Sequence, residues 1–317
     1  MAQPTNTVDS YDTTGIREDL SNVIYNVSPE ETPLLSSIAK VKATNTLHEW
    51  QTDTLRAAVD TNAHVEGDDT VAEARASTSR LGNYTQIFKN AVSTSGTDGS
   101  LDLAGRGKLM SYEIVKVGQE QKLDMEMSLF ANKARVAGNS TTARVLGGLG
   151  SFVKTNVTNI GTGGANPTGT VPGATARTDG TATVFAQADF DLAMQSIWAE
   201  GGKPDSVYLS SFQMNKALGF VGNNNQRSTG ATGEVSSLLN VYMTPWGSVS
   251  FVPSRNNRAR DVWVIEKDKL ALAALRPMKN EALAKTGDNE KRQVVGECTL
   301  VVRNEKALGL VADCTTA

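Results

Sequence analysis

The chain is poor in the residues on which most chemistry depends. Among 317 residues there are two histidines, two cysteines and four tryptophans, and aromatics make up only 6%. His48 and His64 are therefore the only imidazoles for proton transfer near neutral pH. No run approaches the roughly 18–20 apolar residues that a membrane helix requires. No basic segment followed by an apolar run opens the chain, so the expectation is a soluble, cytoplasm-made protein without a signal peptide. Cys298 and Cys314 have no CxxC partner and read as reduced structural thiols, although the sequence alone leaves their bonding open. With 31 Lys and Arg against 34 Asp and Glu, the net charge of −3 argues against a dedicated nucleic-acid binder.

Catalytic and ligand-binding motifs are equally scarce. The run GTGGANPTG, Gly161–Gly169, lacks the GK followed by Ser or Thr of a phosphate loop, and Pro167 removes one amide donor. A flexible loop is the expected state of this run. His48 and His64, with Glu49, Glu66, Asp68 and Asp69, superficially suggest a metal or acid–base cluster, but a weakly structured loop cannot hold ligands within tenths of an ångström. There is no G-x-S-x-G elbow and no Cys near a His in sequence. The residues predict no cofactor, no metal and no enzyme.

What is present is an ordered series of segments. Residues 19–50 read DLSNVIYNVSPEETPLLSSIAKVKATNTLHEW, a polar, partly extended stretch whose apolar anchors include Leu34, Leu35 and Ile38. Ser28-Pro29-Glu30-Glu31-Thr32-Pro33 is a helix-start signal followed by too little helix to pack alone. Thr46–Thr52 and Tyr84–Ser93 read as polar strands around an acidic middle with few large apolar residues. Residues 107–138 predict one helix about 48 Å long, with Leu123, Met127, Phe130, Ala134 and Ala137 on one stripe and Gly138 at its end. On that reading Phe130 is essential, Gln121 and Asn132 tolerate change, and Lys122 pairs with Glu126 on the polar side. The uncharged stretch 155–176 reads as a linker or extended loop. Helical spacing around Phe190–Trp198 and short apolar runs at 207–209, 249–252 and 262–265 predict an α/β unit. Val294–Val302 is the strongest strand signal, expected to return beside the long helix.

The wording of residues 19–55, and the order of segments behind it, resembles major capsid proteins of tailed bacteriophages that share the HK97-type fold. That resemblance implies an α+β chain divided into an N-terminal arm (1–45), an extended hairpin or E-loop (46–100), a P-domain with spine helix (101–180, completed by 276–317) and an A-domain (181–275). It implies self-assembly into hexamers and pentamers of an icosahedral shell around double-stranded DNA, read without sequence specificity. Portal, scaffolding or decoration proteins are the further partners such a shell takes. A tail-tube subunit and an α/β enzyme are the alternatives.

The candidate inter-subunit contacts follow from the resemblance and from charge. Leu34, Leu35 and Ile38 are expected to dock the arm on a neighbour, so that removing residues 1–40 leaves a folded subunit. Glu66, Asp68 and Asp69 form the acidic hairpin tip. Arg255, Arg258 and Arg260 are expected in a solvated loop or an inter-subunit ion pair. Lys291, Arg292, Arg303 and Lys306 are further cations for the neighbour's tip.

Overall fold

The computed structural model describes residues 31–67, 69, 72, 75, 77–101, 107–220, 228–229, 235–236 and 241–316. Residues 1–30 of the expected arm, and Asp68 of the expected tip, lie outside the described residues. The described chain opens with α1 (Pro33–Ser37) and β1 (Ala39–Lys42). A hairpin of β2 (Leu47–Thr52) and β3 (Ser79–Tyr84) follows, then β4 (Gln86–Ser95), α2 (Gly96–Ser100) and the long α3 (Leu109–Phe130). Next come α4 (Leu149–Phe152), β5 (Val157–Asn159), α5 (Gln187–Ala199), β6 (Ser206–Leu209) and α6 (Ser211–Leu218). The short pair β7 (Ser228–Thr229) and β8 (Val235–Ser236) precedes β9 (Val241–Thr244), β10 (Gly247–Pro253) and β11 (Asp261–Ile265). The chain closes with β12 (Leu270–Ala282), β13 (Asn289–Val302) and β14 (Gly309–Ala312).

Two mixed sheets carry the architecture. The first has the order β1-β12-β13-β4, with β1 parallel to β12 and the other pairs antiparallel. The second has the order β5-β14-β11-β6-β10-β9, so it draws strands from both sides of the 181–275 stretch. Its central strands are apolar on both faces because both are covered. Val207 and Leu209 point with Val262, Val264 and Val311 into a core built with Phe190, Ala193, Met194 and Ile197 of α5. Tyr208, Trp263 and Leu310 alternate to the opposite face and meet Leu129 and Phe130 of α3. That second core also holds Leu270, Leu272, Cys298 and Leu300 of the first sheet, so one apolar cluster joins both sheets to α3. Both cysteines are free and buried.

The long helix differs from expectation in length and in face. Its 22 residues span about 33 Å, ending at Phe130 rather than Gly138. Ala131 is extended, and Asn132 explains why: its side chain donates to Arg177 O at 2.7 Å and accepts from Arg177 N at 2.9 Å. A tertiary clamp thus overrides helical propensity. Gly138 instead sits at φ 72° in a tight turn closed by the Val136–Val145 bridge. The buried face runs through Met110, Val117, Gln121, Met125 and Leu129. Met127, expected in the core, is 65% exposed. Gln121 is fully buried and donates to Phe88 O at 2.6 Å, so neither it nor Asn132 is a tolerant surface position.

The uncharged 155–176 stretch is docked rather than free. The buried Asn156 donates to Lys306 O at 2.6 Å, and Leu310 N donates to Asn156 O at 2.9 Å. At Gly161 a Cβ would lie 1.8 Å from Thr181 O, so glycine there permits close backbone approach.

Candidate assembly surfaces

The three expected arm anchors are internal. Leu34, Leu35 and Ile38 are buried among Phe130, Tyr208 and Trp263 of the same chain. The physical reason is a partner some ninety positions away: Glu126 accepts from Leu34 N at 3.0 Å and Leu35 N at 2.7 Å. Both carboxylate oxygens thereby satisfy amides that a helix start leaves without intrahelical acceptors. Burial holds the Glu126 pKa above the ordinary carboxylate value, while the two amides pull it back. Glu126 is therefore not the surface partner of Lys122. Ser37 adds a hydroxyl contact of 2.8 Å to Tyr208 of β6, and the Phe130 and Tyr208 rings meet with centroids 5.7 Å apart. Residues 33–38 consequently stitch α3 to the six-stranded sheet. The sequence offered no signal for this, because the expected stripe through Leu123, Met127 and Phe130 put Glu126 on the polar side.

The hairpin has a fixed root and an exposed end. Asn83 is buried and donates to Gly147 O at 3.1 Å and Leu300 O at 2.9 Å, and it accepts from Gly147 N at 2.8 Å. On β2, Trp50 packs with Ala271, Ala273 and Val301, covering the face of the first sheet that points away from α3. Beyond Thr52 every described residue through Thr78 is exposed, Glu66 and Asp69 included. Leu55, Val59 and Val65 are 97%, 52% and 79% exposed. His64 lies in this exposed stretch, whereas His48 sits on β2 beside the Trp50 ring with its pKa lowered by burial. Among the described residues no group of three or more His, Cys, Asp or Glu is arranged to hold a metal.

Two of the three candidate arginines serve inside the chain. Arg258 pairs with Asp261 at 2.9 Å and with Asp179, and Arg260 pairs with Asp313 at 2.7 Å. Arg177, missed by sequence reasoning, is buried against Asp313 and reaches Asp179 at 3.1 Å. The six charges balance, three against three, as buried ions require. Burial pushes Asp261 up to about 6, against the pull of Arg258. Burial also opposes ionisation of Asp313, yet Arg177, the Gly180 N–H and Arg260 hold its pKa below the ordinary value. This hub ties residues 177–180, 258–261 and 313 together. Arg255 stands outside it and is exposed.

Arg255 instead borders a cleft of about 710 Å³ between the end of α3, the start of β4 and residues 255–258. Ile87 and Met127, 47% and 65% exposed, supply its apolar wall. Lys89, Lys133 and Arg255 are exposed there and have no ion-pair partner among the described residues, and Asp124 is the corresponding acid. The late cations are divided: Lys306 pairs with Glu200 at 2.7 Å and Arg292 with Glu290 at 2.8 Å.

Solved structures share this arrangement across its whole length. The cyanophage A-1(L) capsid asymmetric unit superposes with a TM-score of 0.67 at 13% identity, covering 99% of this chain and 100% of that one. The capsid of a native GTA particle gives 0.61 at 12% identity, over 98% and 100%. Mycobacterium phage Adephagia gives 0.63 at 9% identity, over 99% and 100%. At such identities these likenesses define a fold, the mixed α+β fold of HK97-type capsid proteins. The sequence specifies the group further: the SU10 major capsid protein family matches residues 3–315, and the chain belongs to that family. The major capsid protein of Escherichia phage Phieco32 is 28% identical over 345 residues, spanning 98% of this chain and 97% of its own. The protein is thus a structural component of the phage head and not an enzyme.

Proposed function

We propose that copies of this chain tile a closed icosahedral head around packaged double-stranded DNA, as rings of six and five. The observation that carries this reading is the hairpin beyond β2 and β3, rooted by buried Asn83 yet ending in exposed Leu55, Val59 and Val65. A segment with uncovered apolar residues on a rigid root is built to meet another surface. The subunit body supplies the rest: two sheets fused by one core give a plate that keeps its shape while neighbours attach. On this reading residues 46–100 are the E-loop, 101–180 with 276–317 the P-domain and 181–275 the A-domain. The contacts are heterologous, one patch against a different patch, and close because the rotation closes. Net charge of −3 suits a wall that contains DNA without gripping its phosphates.

Electron microscopy of the purified chain at rising concentration tests this. Closed shells or hexameric sheets are expected. A discrete small oligomer, or tubes, would overturn the reading.

A further inference from the structure

We infer that residues 254–261 and the charged hub they join form a binding site for about two buried water molecules, which complete hydrogen bonds that the chain leaves open. The site adds a ligand to the hub and is independent of how copies of the chain associate. Six buried polar atoms there have no hydrogen-bond partner among the described residues: Ser254 Oγ, Asn257 Oδ1, Arg260 Nε, Asp261 Oδ1, Arg177 Nε and Gln213 Oε1. Four belong to residues 254–261 themselves. Gln213 is bound to Ala259 O, and Arg177 shares Asp313 with Arg260. Buried polar groups in folded chains are nearly always paired, so a concentration of six in one place calls for a partner of another kind.

Turning the side chains round does not supply that partner. Asn257 Nδ2 donates to Tyr208 O at 3.3 Å and to Asp261 O at 2.8 Å, so exchanging its nitrogen and oxygen would set the oxygen against two carbonyls. Gln213 Nε2 is fixed in the same way, by Ala259 O at 3.4 Å and Thr315 O at 2.5 Å. Asp261 holds Arg258 through Oδ2 at 2.9 Å, which leaves Oδ1 over. Arg177 and Arg260 reach Asp313 through their terminal nitrogens, at 3.3 and 2.7 Å, which leaves each Nε–H. A proton on Asp261 Oδ1 would satisfy that atom and one amide oxygen, and four atoms would remain.

The balance of donors and acceptors identifies the ligand. Asn257, Gln213 and Asp261 offer acceptors, Arg177 and Arg260 offer donors, and the Ser254 hydroxyl is either. A cation would face two guanidinium groups, and an anion would face three oxygens. Water both donates and accepts, and a buried water makes about three hydrogen bonds, so six atoms match about two waters. Arg177, Gln213, Ser254, Asn257 and Asp261 are each at most 7% exposed, so bulk solvent does not serve them.

Two measurements on the full chain test the site. A crystal or particle map that resolves individual waters should show peaks bridging these six atoms. Ordered side chains without such peaks would overturn the proposal, and so would an ion held by only one kind of group. Ser254→Ala removes an unpartnered hydroxyl and no side-chain hydrogen bond within the described residues. In a hydrated site a water loses a ligand, and the melting temperature of the unassembled chain should fall by about 2 °C. In a dry site the substitution relieves an unpaired group, so a variant melting at or above the parent would overturn the proposal as well.

Discussion

Residues 33–38 and 53–67 each carry three large aliphatic side chains, and these end in opposite environments. Leu34 is fully buried while Leu55 is 97% exposed. The difference does not lie in local composition. The first segment has a matching surface in its own chain: the Glu126 carboxylate for two amides and a pocket of Phe130, Tyr208 and Trp263 for its side chains. Among the described residues the second has none, and its apolar residues remain uncovered there. What separates an internal brace from an external arm is therefore where the complementary surface is encoded.

The strongest way to break this comparison is to remove the brace. Deleting residues 1–40 takes away α1 and half of β1, opening the cluster that joins both sheets. The truncated chain should lose its cooperative melting transition. Leu34→Ala alone should cost about 2–5 kcal/mol, the range for a buried leucine that leaves a cavity. Leu55→Ala should leave the melting temperature of the unassembled chain unchanged. A folded, cooperatively melting truncation would restore the view of residues 33–38 as a docking element.

The same distinction explains what was readable beforehand. Val294–Val302 announced itself because a run rich in β-branched residues has few alternatives to a strand, and it forms the C-terminal part of β13, paired with β12 and, through Cys298, with β4. The strands at 207–209 and 262–265 and the helix at 187–199 were legible for the same reason, strong local patterning. The end of α3 was not, because Asn132 is clamped by Arg177, forty-five positions away. Arg258 and Arg260 were noticed as cations, but their partners Asp179 and Asp313 lie too far along the chain for spacing to reveal. Gln121 and Glu126 read as solvent-facing because they are polar, whereas each fills a backbone hydrogen-bonding need inside the core. Long-range polar contacts leave no periodic trace.

Glu126 allows the comparison to be sharpened without deleting anything. Glu126→Ala leaves two buried amides without acceptors and should cost about 2–4 kcal/mol. Glu126→Gln keeps one acceptor oxygen and removes a charge that burial disfavours, so its cost should be smaller, about 1 kcal/mol. Chemical denaturation measures both. Hydrogen exchange at Leu34 and Leu35 should speed up in the same order. Equal, negligible effects would mean that apolar packing alone holds the brace.

The smallest effect separates acids folded inside from acids left outside. Asp261 titrates at about 6 in the folded chain against an ordinary 3.8, so the folded state binds more protons than the unfolded between those values. Its contribution to stability therefore falls as pH rises through that window. Asp313 has the opposite sign: with a lowered pKa, its contribution is present above the unfolded value and lost as pH falls through the folded one. Denaturation of the parent and of Asp261→Asn at pH 4.5 and 7.5 should differ accordingly. The parent should gain about 2 kcal/mol on the variant at the lower pH, the linkage value for a shift of this size. Glu66→Gln, on the exposed segment, should track the parent at both pH values. If Asp261→Asn tracks it as well, Asp261 is not held protonated by burial, and the hub's charges are solvated like those of the hairpin.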